Sequence, residues 1–355
     1  MSIPDSYDEM PTPQTSVLAA TPVRRKRWTE RVPVIKELRQ SVGLQRGMLI
    51  TGLVITLLFV VIAVFAPLIA PYTWAQQQTA DGHSFGTQQA PNALNLLGTT
   101  VSGFDVFSRV IWGAQTALLV IIAAIVCSIF IGIALGLISG YFGGWLDRLL
   151  VVVADAIYAF PSLLLAIVMS IVISRGQSTL GGGIMATAIA ITVVFVPQYF
   201  RVIRSEVVRV RAEPFVDSAK VIGVPTTRIL LRHVLRNSTR SLPVIITLNA
   251  SEALLTLAGL GFLGFGIEAT AAAEWGYDLN RAVGDVTSGI WWTSVFPGVA
   301  IVLVVLGVTL VGESLNDLAD PRLRLRRRAG GRKKIAAATE GAKACDALSD
   351  RRESK

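Results

Sequence analysis

Two carboxylates stand inside long apolar segments of this sequence, where an ionisable group is costly. Glu252 lies about halfway along one apolar run, and Asn249, three residues earlier, falls on nearly the same helical face. Asp155 lies two turns into another apolar run. Charged groups in such segments face a bundle interior, a cavity or a partner. The three residues are therefore candidates for a translocation pathway or gate. The alternative is an interhelical hydrogen bond or a protonated acid.

Other site chemistry finds little support in the sequence. The two histidines, His83 and His233, fall on different predicted loops, and Cys127 lies in an apolar run far from Cys345. We expect neither a metal cluster nor a disulfide. The sequence contains no phosphate-binding loop, H-E-x-x-H or G-x-S-x-G motif. No catalytic residue is predicted, and the chain is not expected to be an enzyme.

Glycine patterns point to packing rather than to ligand chemistry. The run 259–264 matches G-x-G-x-x-G, but it closes an apolar helix and follows no strand, so a dinucleotide site is not expected. Gly132, Gly136 and Gly140 repeat at intervals of four. They place three small residues on one helical face, where another helix can approach closely.

Composition identifies the elements that would position these residues. The 355-residue chain is 52% hydrophobic and only 16% charged, with a mean hydropathy of +0.57. Soluble chains carry about 25% charge, so soluble and disordered classes are excluded. About 20 apolar residues cross a bilayer as a helix. We predict an all-α integral membrane protein with six spans, at 49–70, 110–139, 149–173, 184–199, 242–266 and 294–311.

The placement of basic residues orients these spans. Of the 33 Lys and Arg, all but Arg109, Arg175 and Arg281 fall in the head, the tail and the loops on one side. Because basic flanks stay cytosolic, both termini are predicted inside, and the net charge of +9 reflects topology rather than nucleic-acid binding. The predicted organisation is a cytosolic extension over 1–48, a transmembrane domain over 49–317, and a basic, mostly disordered cytosolic tail over 318–355.

The inner loop at about 205–240 has the pattern of a helical hairpin. Pro214 can open a short helix in which Phe215, Ala219 and Ile222 recur at helical spacing. Gly223 breaks that helix, and a second one is predicted over 228–236 with an apolar stripe of Ile229, Leu230, His233 and Val234. A docking element and an amphipathic pair lying on lipid fit this pattern equally well.

The hairpin and several other segments resemble a known family. Asp217-Ser218-Ala219 followed by Gly223, and the run 232–237 containing His233 and Leu235, are similar to the E-A-A-x-x-x-G loop of ABC importer permeases. Further segments resemble the C-type permease of the dipeptide/oligopeptide/nickel subfamily; they lie at 97–99, 104–109, 136–147, 155–167, 260–266, 296–298 and 320–322. The resemblance covers about 45–322. Asp217 and Ser218 replace the usual Glu and Ala, and Arg236 replaces the usual Pro.

The resemblance implies a fold, a function and partners. It implies a type I ABC importer permease in a bacterial cytoplasmic membrane, taking up dipeptides or oligopeptides. The implied partners are a B-type permease, two ATPase subunits that carry ATP and Mg, and an extracytoplasmic solute-binding protein. No cofactor is implied for this chain. The hairpin would seat on an ATPase, with Phe215, Ala219, Gly223 and Leu235 at the packed interface.

Alternative functions are weighed on the same residues. Nickel or another small solute is a possible cargo, because the solute-binding protein usually sets specificity. An autonomous ion-coupled carrier would show charges paired across spans and internal repeats, which this sequence does not. In the peptide importer that the resemblance implies, Glu252 would contact a substrate amine or gate the cavity.

Overall fold

The computed structural model describes residues 44–174 and 182–319. Most of the predicted N-terminal extension and C-terminal tail, together with Arg175 and Cys345, lie outside these ranges. Within them the chain is helical, with two isolated antiparallel bridges in the connection before the second long helix. The helices are α1 Leu44–Val64, α2 Ala66–Ile69, α3 Val106–Phe142, α4 Gly144–Tyr158, α5 Ser162–Ser174, α6 Gly182–Arg211, α7 Pro214–Val221, α8 Thr226–Arg228, a π segment Ile229–Val234, α9 Leu235–Ser238, α10 Leu242–Phe262, α11 Trp275–Thr287 and α12 Trp292–Ala319.

Five single helices and one bent pair are candidate membrane spans. In the described part of the chain, α1, α3, α6, α10 and α12 are each long and apolar enough to cross a bilayer, and α4 with α5 forms a sixth, bent candidate. Each overlaps one of the predicted spans. The prediction of an all-α, multi-pass membrane protein is confirmed.

The third predicted span is broken rather than continuous. A single helix was expected over 149–173, but α4 and α5 meet at an angle of 97°. Pro161 explains the break, because proline lacks an N–H and disfavours helical backbone at Phe160 before it. The helix resumes at Ser162. The bend exposes Tyr158 on one side of the bundle.

The fourth predicted span is longer than expected. It was placed at 184–199, whereas α6 runs through Pro197 and ends at Arg211. The basic residues after 200 suggested a loop, but Ile203, Val207 and Val210 are fully buried at helical spacing. The hairpin loop therefore begins at about 212, not at 205.

The α3–α6 pair forms the most extensive helix contact among the described residues. Gly132, Gly136 and Gly140 face α6, the close approach that their spacing predicted. A Cβ on Gly132 would lie 2.5 Å from the Cβ of Tyr199, and one on Gly136 would lie 2.9 Å from the Cβ of Ile203. Because real Cβ atoms do not approach so closely, no larger residue fits at these positions without a shift of the helices.

Candidate functional site

The hairpin at 213–240 is built as two short helices joined by a glycine turn. Helix α7 starts at Pro214, directly after an extended Glu213 (φ −76°, ψ 138°). The turn follows at Gly223, whose φ of +78° suits glycine. The N–H of Val224 donates to the carbonyl of Ala219 at 3.1 Å, which closes the reversal.

The two faces of α7 differ in burial. Val216 and Ala219 are buried against the rest of the chain, whereas Phe215, Val221 and Ile222 are 41%, 87% and 78% exposed. Phe215, Ala219 and Ile222 were predicted to recur on one helical face, and the structure divides them between the two. Helix α7 ends at Val221, so Ile222 belongs to the turn.

The remaining predicted coupling residues also separate by burial. Asp217, Ser218 and Gly223 are exposed, and the Asp217 carboxylate pairs with a lysine one turn later. His233 and Leu235 are half-buried, and Leu235 packs against the core. The open surface of the hairpin therefore comes mostly from the first helix and the turn.

The second helix of the hairpin is longer than predicted and contains a π segment. It was predicted over 228–236, but it runs from Thr226 through Ser238 and has no side-chain cap at its start. Its middle turns, Ile229–Val234, are π-helical, a wider helix that periodicity does not reveal. Ile229 and Val234 are buried, as the apolar stripe predicted.

Polar contacts tie the end of α6 to the corner between α3 and α4. The Arg204 Nε and Nη2 atoms donate to the two Asp147 carboxylate oxygens at 2.5 and 2.7 Å. The Ser139 hydroxyl also donates to Asp147. Arg211 Nη1 donates to the Tyr141 carbonyl at 2.6 Å. The segment that carries the hairpin is thus held to two other membrane helices.

A small polar pocket lies where the bend between α4 and α5 faces α6 and α10. We call it the Glu252 pocket; its volume is about 220 Å³. Four lining residues are polar: Tyr158, Ser162, Gln198 and Glu252. The apolar lining residues are Ile157, Phe160, Leu165, Val194 and Phe195. The exposed Tyr158 and Glu252 leave the pocket open on one side.

The three predicted pathway residues do not share one site. Only Glu252 lines the pocket; Asn249, expected on nearly the same face, is buried within the bundle. Asp155 is exposed and forms an ion pair with Arg201 at 2.7 Å, while the Arg201 guanidinium lies 4.4 Å from the Tyr158 ring centroid. Asp155 thus has the interhelical contact that was one of its two predicted roles.

An ion pair that the sequence pattern did not reveal lies near the C-terminal end of α10. Arg109, at the start of α3, reaches Asp278 on α11 with its Nη2 atom 2.7 Å from the carboxylate, and both side chains are buried. Arg109 Nη1 also donates to the Trp74 carbonyl at 2.8 Å. An arginine beside an apolar run was the only signal for this contact.

Glu274 lies beside this pair at the start of α11. Its carboxyl oxygens accept from the N–H groups of Gly276 and Tyr277 at 2.8 and 2.6 Å, which caps the helix. Burial raises the pKa of Glu274 to about 8, although the N–H groups of Gly276 and Tyr277 lower it; the nearby Asp278 contributes to the rise and Arg109 opposes it. Burial also raises the pKa of Asp278.

The glycine-rich run 259–264 packs against this cap. A Cβ on Gly261 would lie 1.7 Å from a Glu274 carboxylate oxygen, and one on Gly276 would lie 2.0 Å from the Ala258 carbonyl oxygen. The glycines therefore let α10 and α11 approach each other. This is a packing role.

Comparison with known proteins gives this architecture a family. Residues 132–325 match the family described as the binding-protein-dependent transport system inner membrane component. Residues 45–91 match the N-terminal TM domain of oligopeptide transport permease C.

Two curated relatives cover most of the chain. The dipeptide transport system permease protein DppC of Alkalihalophilus pseudofirmus is 36% identical over 314 residues, which is 88% of this chain and 94% of the relative. The glutathione transport system permease protein GsiD of Escherichia coli is 35% identical over 284 residues, 79% of this chain and 88% of the relative. The chain belongs to the family of binding-protein-dependent transport system inner membrane components, the permease subunits of ABC importers.

Proposed function

We propose that this chain is the C-type membrane subunit of an ATP-driven peptide importer, coupled to its ATPases through the hairpin. The proposed assembly contains a B-type permease, two ATPase subunits that bind ATP and Mg, and an extracytoplasmic solute-binding protein. It lies in a bacterial cytoplasmic membrane with both termini of this chain in the cytosol. ATP hydrolysis belongs to the partner subunits.

The exposed apolar end of α7 carries this proposal. Val221 and Ile222 are among the most exposed large apolar side chains of the described residues. They lie at the last residue of α7 and in the turn after it, and the other face of α7, with Val216 and Ala219, is buried. An exposed apolar patch on a well-packed element is typical of a protein interface.

The attachment of the hairpin supports a mechanical role. Helix α6 connects directly to α7 after Arg211, and the Asp147–Arg204 pair holds α6 to α4. The glycine face of α3 also packs closely against α6. Displacement of α7 by a closing ATPase pair would therefore move α3, α4 and α6 together, as domain motions between two access states require.

The peptide cargo is proposed from the relatives. Their printed names specify a dipeptide and glutathione. A cavity lined by one carboxylate, one amide, two hydroxyls and several apolar side chains suits a ligand with polar termini and variable side chains. Nickel import by a permease of the same family is the alternative cargo.

The coupling is tested by changing the exposed tip of the hairpin. Ile222→Asp should abolish copurification of the ATPase subunits and ATP-dependent dipeptide uptake, because a charge replaces an apolar contact on a surface that the fold itself does not use. Leu94→Asp is the matched control, since Leu94 is 55% exposed on the connection between α2 and α3. It should retain the ATPases. Normal ATPase association in Ile222→Asp would refute the docking role and favour a hairpin that lies on lipid.

A further inference from the structure

The Glu252 pocket holds a carboxylate that forms no ion pair within the part of the chain that the structure describes. Among residues 44–174 and 182–319, the five ion pairs use other acids, and no hydrogen bond to the Glu252 carboxylate is found. The residue lies on a membrane-spanning helix. An ionisable group in such a helix that has no partner within the fold marks a functional position, because its charge is otherwise costly.

The surroundings of Glu252 suit one class of ligand. Gln198 and Ser162 offer hydrogen-bonding groups, and Tyr158 offers an aromatic ring at the open side. A carboxylate, an amide and an aromatic ring together favour an ammonium group, through a charge-assisted hydrogen bond and a cation–π contact. The neighbouring Arg201 already lies over the Tyr158 ring, so the carboxylate makes the main contribution.

The size of the pocket limits what it takes. About 220 Å³ is below the 300–1,000 Å³ of sites that enclose a whole drug-sized ligand. It accommodates an ammonium group with one adjacent residue. The apolar side of the pocket, including Leu165, Val194 and Phe195, would contact that residue's side chain.

We propose that the Glu252 pocket is a transient binding subsite for the N-terminal ammonium group and first residue of a peptide inside the permease. The proposal rests on the peptide-import function above and assigns a step to this chain: the carboxylate receives the ammonium end after the solute-binding protein releases its cargo. Selectivity for a free amino terminus would then be exerted in the membrane subunit as well.

A protection experiment tests this subsite independently of uptake. In the complete transporter without nucleotide, Cys127→Ser and Cys345→Ser remove the native thiols, and Ser162→Cys places a thiol on the pocket wall. The dipeptide Ala-Phe should slow alkylation of that thiol by a maleimide. N-acetyl-Ala-Phe, which lacks the ammonium group, should protect only at concentrations about tenfold higher or more, the loss expected for a charged hydrogen bond.

Variants at Glu252 decide the role of the carboxylate. Glu252→Gln should raise the half-protecting concentration of Ala-Phe by about tenfold, and Glu252→Asp should restore part of the protection. Glu313→Gln, a change of an exposed carboxylate on α12, should leave it unchanged. Equal protection by the two peptides, no protection by either, or unaltered protection in Glu252→Gln would each overturn the subsite. Ala-Phe uptake by the same transporter before the substitutions reports separately on the peptide-import function.

Discussion

Two regions beside α10 hold carboxylates in opposite ways. Near its C-terminal end, Asp278 is 9% exposed and bonded to Arg109, which is 2% exposed, and the Glu274 carboxyl accepts hydrogen bonds from two backbone N–H groups. Midway along α10, Glu252 is exposed to an open pocket and has no cation beside it in the described part of the chain. The first arrangement is complete within the fold, and the second is not.

The buried ion pair therefore supports the fold, whereas the carboxylate of Glu252 is available to a ligand. The buried Arg109–Asp278 pair fixes the position of α11 on α3, and removing one partner leaves an uncompensated charge. An open carboxylate has nothing to hold in place, so it contributes little to stability and is available to a ligand. Mutations in the two regions should therefore change different observables.

The largest loss of stability is expected from breaking the buried Arg109–Asp278 ion pair. Asp278→Asn leaves the buried Arg109 without its anion and should cost about 3–5 kcal/mol. Asp155→Asn is the matched control, because the Asp155–Arg201 pair has side chains 56% and 43% exposed and should cost at most about 1 kcal/mol. Thermal unfolding in detergent measures both. Similar losses of stability in the two variants would show that the buried ion pair is no more important to the fold than the exposed one.

The buried Glu274 should also make the stability of the protein depend on pH. The pKa of Glu274 is raised from 4.5 to about 8 in the fold, so the folded state binds the proton more tightly than the unfolded state between these values. Stability should therefore fall as pH rises from about 5 to 8, by at most about 1.4 kcal/mol per pH unit from this group.

Glu274→Gln tests that origin directly. The variant cannot titrate, so its melting temperature should change less between pH 5 and 8 than that of the unmodified protein. An unchanged pH profile would assign the effect to other groups.

A smaller loss is expected at the helix interface behind the pocket. Gly132→Ala places a Cβ 2.5 Å from that of Tyr199 and should destabilise by about 1–3 kcal/mol. Gly284→Ala is the control: a Cβ there meets nothing within 4 Å, and alanine is the better helix former. Opposite signs for the two changes in unfolding free energy would establish the tight α3–α6 contact.

The smallest stability change belongs to the open carboxylate. Glu252→Gln should alter the unfolding free energy by less than about 0.5 kcal/mol, as is usual for exposed groups without partners. Chemical denaturation in mixed micelles provides the comparison with Asp278→Asn. A loss of several kcal/mol would mean that Glu252 is a structural contact, and the pocket interpretation would have to be abandoned.

Local sequence patterns predicted the elements whose signal lies in nearby residues. The apolar runs gave six spans, the four-residue glycine spacing gave a helix contact, and Pro214 with Gly223 gave the first half of the hairpin. Contacts between distant residues left no such signal. Arg109 and Asp278 are 169 positions apart, so their pairing depends on how three helices pack.

The sequence patterns also failed to predict where two helices end and which of their residues are buried. Basic residues after 200 suggested a loop because exposed charges resemble one, yet a buried stripe continues through Val207. Ala219 and Ile222 share helical spacing, but the helix ends between them, so they face different surroundings. Periodicity predicts a face only while the helix itself continues.

ATP-dependent uptake of radiolabelled Ala-Phe by the complete transporter in proteoliposomes tests the central claim most directly. We expect uptake that requires ATP, is reduced about tenfold or more by Glu252→Gln, and changes less than about twofold in Glu313→Gln. Uptake without ATP, or equal uptake by all three proteins, would contradict an ATP-coupled peptide pathway in which the open carboxylate of α10 binds the cargo.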